Sequence, residues 1–337
     1  MNTSFLKLIT LLFFCFLVHS CTSQSSRING VSFVASRNPV DQQHIDPVIK
    51  HQANHAAVMP FGFIRSLNNP EIIYNTERQW YGETRDGALQ YIEMLHKNNI
   101  RVMLKPQIWI WRGEFTGYLK MESEEKWVEL EESYSKFILE YAALAQTAEV
   151  EIFCIGTELE QFIVHRPEYW RELISKIKKV YKGKLTYAAN WDEYKRVPFW
   201  DQLDFIGVDA YFPISESITP TIAEAREGWH RWKKELKAVS DSNKRKILFT
   251  EYGYRSVDHS GKEPWQTSRE EKKVNLDAQA NLLTALYEEI WSESWFAGGY
   301  IWKWFIDHDR AGGEDNNRFT PQNKPAGLVI QYYYSTD

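Results

Sequence analysis

Cysteine is nearly missing from this chain, with 3 in 337 residues. Cys15 and Cys21 lie close together near the N-terminus, and Cys154 stands alone in an apolar run. That excludes a disulfide framework and a metal site built on paired cysteines. Cys154 reads as a small buried hydrophobe. His165, His259 and His308 lack metal-ligand spacing, and Asp309 to Asn317 lacks the regular ligand spacing of a calcium loop. No metal and no other cofactor is expected. A strong imbalance of charge is missing as well, with 40 Lys and Arg against 45 Asp and Glu. The net charge is -5 with no dense basic cluster, so nucleic acid is not an expected partner. Internal repeats and low-complexity stretches are absent, and no linker follows Ser26.

The longest apolar run, Leu8 to Val18, is too short to span a membrane comfortably. Lys7 before it supplies the positive start of a targeting signal. The run ends in Leu17-Val18-His19-Ser20-Cys21, which resembles a bacterial lipobox, although His19 is unusual there. Residues 1–20 are then a lipoprotein signal, Cys21 is the lipidated mature N-terminus, residues 21–27 are a short tether and 28–337 are the folded domain. The protein is expected on the bacterial cell envelope, facing the periplasm or the outside, with a membrane as partner through Cys21. A plain secretory signal with an incidental cysteine is the alternative.

Aromatic residues are abundant, at 15% with 14 Trp. A core of this size needs few Trp, so the excess points to surfaces that stack on flat apolar faces such as sugar rings. A Trp-rich core is the competing explanation. Short strand-like runs alternate with amphipathic stretches. The predicted strands are Gly30–Ala35, Ala56–Ile64, Arg101–Ile110, Glu151–Thr157, Leu185–Asn190, Phe205–Tyr211, Ile247–Glu251 and Gly299–Phe305. The predicted helices are Asp86–Asn98, Trp127–Ala148, Pro167–Tyr181, Ala223–Val239 and Asn275–Trp291. Eight strand–helix repeats predict an α/β fold, a single (β/α)8 TIM barrel. It is irregular in unit five and unit eight, where no long helix is evident. The chain is expected to act as a monomer.

Two apolar strands end on acids. Ile152 to Ile155 leads to Glu158, and Ile247 to Phe249 leads to Glu251. A carboxylate in a core is expensive, but the C-terminal ends of barrel strands form the active-site face. Two carboxyls there suit glycosidic cleavage, in which one protonated carboxyl donates to the leaving oxygen and one ionised carboxylate attacks or activates water. Glu158 follows an apolar strand, which suits a raised pKa. Arg255, Tyr252 and Tyr254 near Glu251 are candidates for keeping that group charged. These arguments do not assign the two roles. Either acid alone is equally well explained by a salt bridge at the barrel top.

The motifs GTELE, GVDAYFP and FTEYGY, in that order on strands four, six and seven, resemble glycoside hydrolase family 113. The similarity runs from Gly30 to about Leu328. It implies a retaining (β/α)8 glycosidase, mainly endo-β-1,4-mannanase in activity, with Glu158 as general acid/base and Glu251 as nucleophile. It also implies that Tyr211 holds the nucleophile and that Trp302 floors the sugar site. Many members of the wider clan carry Asn just before the acid/base, and Thr157 stands there in this chain.

Further candidates come from strand ends. Asn190 suits a pair of sugar hydroxyls or a turn cap. Lys105 and Gln107 are costly inside a barrel unless they reach the mouth, so they are candidate sugar contacts. Trp109 and Trp111 are candidates for stacking farther along the cleft. Trp304 and Tyr300 share a strand face with Trp302 and are alternatives to it. Arg65 ends strand two and is a candidate partner for a catalytic Glu. The expected partner is a β-1,4-linked polysaccharide or oligosaccharide, mannan before other β-glycans. A glycan-binding lipoprotein without turnover is the reading from another class.

Overall fold

The computed structural model describes residues 27–267 and 273–336. The targeting segment and Cys21 lie outside them. Eight parallel strands close a barrel. They are β1 (Ile28–Phe33), β2 (His55–Val58), β4 (Arg101–Leu104), β6 (Ile152–Thr157), β7 (Lys184–Asn190), β8 (Phe205–Asp209), β9 (Lys246–Tyr252) and β10 (Phe296–Trp304). Around the closed sheet the order is β1-β10-β9-β8-β7-β6-β4-β2. This is the predicted TIM barrel.

Two predicted strands are each broken in two. Pro60 and Pro106 remove the N–H that a continuing ladder needs. Beyond them, β3 (Phe61–Ile64) and β5 (Gln107–Ile110) leave the barrel and pair with each other. The break falls directly after Lys105, at the barrel rim.

Outside the sheet lie α1 (Gln42–Lys50), α2 (Arg85–Lys97), α3 (Glu124–Thr147), α4 (Glu160–His165), α5 (Pro167–Val180), α6 (Ile222–Asn243), α7 (Leu276–Leu286) and α8 (Pro325–Ser335). Between β7 and β8 there is only the short 3-10 turn Trp200–Gln202, so unit five is irregular as expected. Unit eight does close with a helix. The expectation of none there missed α8, whose tyrosines and aliphatics leave little polar contrast for periodicity to show. The short α1, interrupted by Pro47, was missed too. Among the described residues no helix is long and apolar enough to cross a membrane.

The barrel interior is filled by Ile28, Ala57, Met103, Ile152, Cys154, Ala188, Phe205, Leu248 and Tyr300. Cys154 is fully buried there, and burial pushes its thiol up to about 11, as suits an inert packing residue. A larger apolar layer seals helices to sheet, with Trp170, Trp229 and Trp304 fully buried. Core packing thus accounts for much of the Trp excess. Trp80, Trp109, Trp111 and Trp265 remain exposed.

Candidate active site

Both acids follow a bulge. On β9 the register with β8 runs Val208↔Phe249 and then Asp209↔Glu251, so β9 carries one extra residue. On β6 the register with β7 runs Cys154↔Thr186 and then Thr157↔Ala188, again one residue more on the strand that leads to the acid. A bulge breaks the in-out alternation and re-aims the next side chain. Thr250 and Glu251, although consecutive, therefore both reach inward-facing partners. Gly156 within the β6 bulge cannot be larger, since a Cβ there would lie 2.8 Å from the Tyr134 hydroxyl and 2.9 Å from the Trp170 ring.

Glu251 is crowded with donors. The Lys105 ammonium sits 2.6 Å from Oε1, the Gln107 amide donates to the same oxygen at 3.1 Å, and the Tyr211 hydroxyl donates to Oε2 at 2.7 Å. These groups come from the rim of β4, from β5 and from just past β8. Neighbours in sequence contribute less than expected. The Tyr252 hydroxyl meets those of Tyr287 and Tyr334, and Arg255 Nε donates to the Asn317 carbonyl.

Lys105 has no exposed surface, and its ammonium also lies 3.3 Å from Asp209 Oδ1. Burial alone would lower its pKa, but the charges of Asp209 and Glu251 outweigh that and hold it above the ordinary lysine value. Asp209 receives a further hydrogen bond from the Thr250 hydroxyl at 2.7 Å. Its carboxyl is raised, first by burial and then by the negative charge of Glu251. Asp209 was not singled out from sequence. An acid ending the apolar run FIGVD was the available signal.

Glu158 is the opposite case. Among the described residues its carboxyl takes no hydrogen bond or ion pair. Burial, followed by the negative charges of Asp209 and Glu251, pushes it well above the usual carboxylate range, and Lys105 only partly offsets this. Its backbone has φ +50°, in the left-handed region that non-glycine residues seldom occupy.

The remaining candidates divide. Trp302 lies two residues beyond the interior Tyr300 on β10 and stays partly exposed at the rim. Lys303 beside it places its ammonium 5.5 Å from the Trp302 ring and 5.0 Å from Phe305, and was missed from sequence. Trp109 is 49% exposed on β5, open to a ligand. Asn190 Oδ1 caps its own turn by accepting the Trp191 N–H at 2.8 Å. The Thr157 hydroxyl is buried beside the Cys154 thiol.

Three expectations need correction. Lys105 is not placed as a sugar contact, because it is fully buried and its ammonium lies against Asp209 and Glu251. Gln107 gives one amide N–H to Glu251. Trp304 faces the outer layer, between His51 and His308, rather than the mouth. Arg65 is exposed and forms no ion pair among the described residues. The break at Pro60 carries it out of the barrel with β3.

A barrel mouth that gathers one carboxyl without donors and one saturated with them supplies the unequal pair of acids that glycosidic cleavage requires, which defines the class as a TIM-barrel glycosidase. The chain belongs to Glycoside Hydrolase Family 113, whose model matches residues 35–324, and it is a glycoside hydrolase. Its fold is similar to that of a GH113 β-mannanase from Alicyclobacillus acidocaldarius solved in complex with ManMIm. That similarity has 26% identity, 93% of this chain and 98% of that chain covered, and a TM-score of 0.81. A second GH113 β-1,4-mannanase complex aligns at 23% identity, over 93% of this chain and 100% of that one, with a TM-score of 0.80. No curated protein matches.

Proposed function

We propose that the protein is a retaining endo-β-1,4-mannanase acting on mannan or glucomannan. The carrying observation is the contrast between the two carboxyls. Glu251, with Lys105, Gln107 and Tyr211 on its two oxygens, is built to be an anion and attacks the anomeric carbon. Glu158, bare and raised, holds a proton and delivers it to the leaving oxygen. Water then attacks the glycosyl–Glu251 ester. Glu158, now ionised, takes the water's proton, and both groups return to their starting states. The substrate preference rests on the β-mannanase relatives. Trp302 is proposed as the sugar floor and Trp109 as a stacking surface farther along. Asn190 Nδ2 remains a candidate for a sugar hydroxyl.

The test is product release from mannan, glucomannan, galactomannan, mixed-linkage glucan and xylan, with Glu158→Gln and Glu251→Ala beside the parent. Oligosaccharides from mannan, lost in both variants, are the expected result. Release only from another glycan would replace the substrate and keep the chemistry. Binding without any release would leave a glycan-binding protein.

We also propose that Cys21 carries a lipid that holds the enzyme at the bacterial cell envelope, on the strength of the lipobox-like residues 17–21. Membrane fractionation of the parent and Cys21→Ala tests it. An equal distribution of the two would defeat the anchor.

A further inference from the structure

Two consecutive peptide N–H groups at Glu158 are tied to β7. The Glu158 N–H donates to the Ala188 carbonyl at 2.8 Å, and the Leu159 N–H donates to the Tyr187 hydroxyl at 2.6 Å. That hydroxyl in turn donates to Glu193 Oε1 at 2.7 Å, and the Asn190 N–H donates to Glu193 Oε2 at 2.9 Å. Glu193 is 1% exposed, and among the described residues no cation pairs with it. The nearby Arg196 goes to Glu160 instead. Burial pushes Glu193 up to about 8, against the hydrogen bonds that hold it down, while the charges of Glu160 and Asp209 add to the rise. A buried acid without a cation is costly, and the catalytic cycle above gives it no task.

Resting on the reading of Glu158 as proton donor, we infer that Glu193 and Tyr187 are positioning residues, which lock the left-handed turn at Glu158 and so aim its carboxyl at the leaving oxygen. The left-handed conformation persists only where the surroundings impose it. Here they impose it by capturing the next N–H. Tyr187 accepts that N–H only while its own proton has an acceptor, and Glu193 is that acceptor. A carboxyl can accept from the Tyr187 hydroxyl and the Asn190 N–H together. A glutamine in its place can satisfy only one of them, because its other terminus is a donor.

The experiment is the leaving-group dependence of kcat/KM in Glu193→Gln and Tyr187→Phe, measured on aryl β-mannotriosides. Dinitrophenolate departs without a proton, whereas phenolate and a sugar need one. A misaimed acid is expected to cost roughly 10- to 100-fold on the phenyl substrate and on mannan. The dinitrophenyl substrate should lose less than about 3-fold. Equal losses on both aryl substrates, as a merely structural role would give, overturn the inference, as does no loss. A parent that cleaves no β-mannoside refutes the substrate reading by itself. The inference is then read without turnover, by titrating the Glu158 carboxyl with 13C NMR. The charged groups facing it are Asp209, Glu251, Lys105 and Glu193. Its pKa should fall in both variants, as the loosened turn admits water. An unchanged titration overturns the inference.

Discussion

Glu158 and Glu251 each come directly after a one-residue bulge, Glu158 just past β6 and Glu251 still within β9, and arrive in opposite surroundings. Three donors from other parts of the rim meet Glu251, and among the described residues none meets Glu158. Hydrogen bonds to the charged form favour ionisation, while desolvation and like charge disfavour it. The division of labour is therefore set by what β4, β5 and β8 bring across the mouth. Residues adjacent in sequence, such as Tyr252, turn away into the outer layer.

The broadest way to break the contrast is to remove either member. Glu251→Ala should reduce mannan hydrolysis to background, because it removes the proposed nucleophile. Glu158→Gln should lower kcat/KM by about 10²- to 10⁴-fold, the usual worth of general acid–base catalysis. Similar small losses in both would abolish the assigned roles.

Lys105 holds the contrast together, since its single ammonium serves both Asp209 and Glu251. Lys105→Met would leave two buried carboxyls facing each other. Removing one partner of a buried ion pair typically costs about 3–5 kcal/mol, to be read by denaturant unfolding. Activity should fall even in the folded fraction, because Glu251 loses the ammonium that holds its Oε1 at 2.6 Å. Unchanged stability would mean that the carboxyls find another cation.

A pH profile sharpens the same comparison. In the proposed mechanism the first step needs Glu158 protonated, and its pKa is raised by burial and by Asp209 and Glu251. kcat/KM should therefore persist above the ordinary Glu range, near about 4.3, and decline as pH rises through the raised value. The stability link has the same sign. A folded-state pKa above the unfolded one contributes stability that is fully present below the unfolded pKa and lost as pH rises through the folded one. An alkaline limb at the ordinary carboxylate value would remove the basis for calling Glu158 the acid.

Tyr211→Phe is a milder test. It deletes one hydrogen bond to Glu251 and leaves the other two. A hydrogen bond to a charged group is worth about 1.5–3 kcal/mol, so a loss of roughly 10- to 100-fold in kcat/KM is expected.

The alternation of strands and helices was enough to read the barrel from sequence, because apolar runs of strand length recur between amphipathic segments. The placement of Glu158 and Glu251 at the mouth follows from the same reading. What escaped it depends on closure of the sheet in three dimensions. Lys105 and Gln107 look like ligand contacts in one dimension, since a polar pair in an apolar strand needs some partner. That the partner is Glu251, more than 140 residues later, is a property of the closed barrel. Glu193 sits in a loop with no periodic signal, and its partner Tyr187 belongs to a strand whose aromatic face reads as core. Pro60 and Pro106 were visible, but predicting where β3 and β5 go required knowing that the two breaks lie side by side.

Arg65 marks the outer edge of the comparison and carries the smallest expected effect. A guanidinium at the end of strand two would be a natural fourth donor for Glu251 if that strand ran straight into the mouth. The structure diverts it at Pro60, and Arg65 ends exposed just past β3 with no ion pair among the described residues. Arg65→Ala should then change stability by no more than about 0.5 kcal/mol, as for surface sites away from special features. kcat/KM on short oligosaccharides should stay within about 2-fold for the same reason. A selective loss on long mannan would place Arg65 on the distal cleft beside Trp109. A loss on every substrate, with the alkaline limb shifted, would instead return the guanidinium to the catalytic carboxyls and show that the side sheet moves inward during turnover.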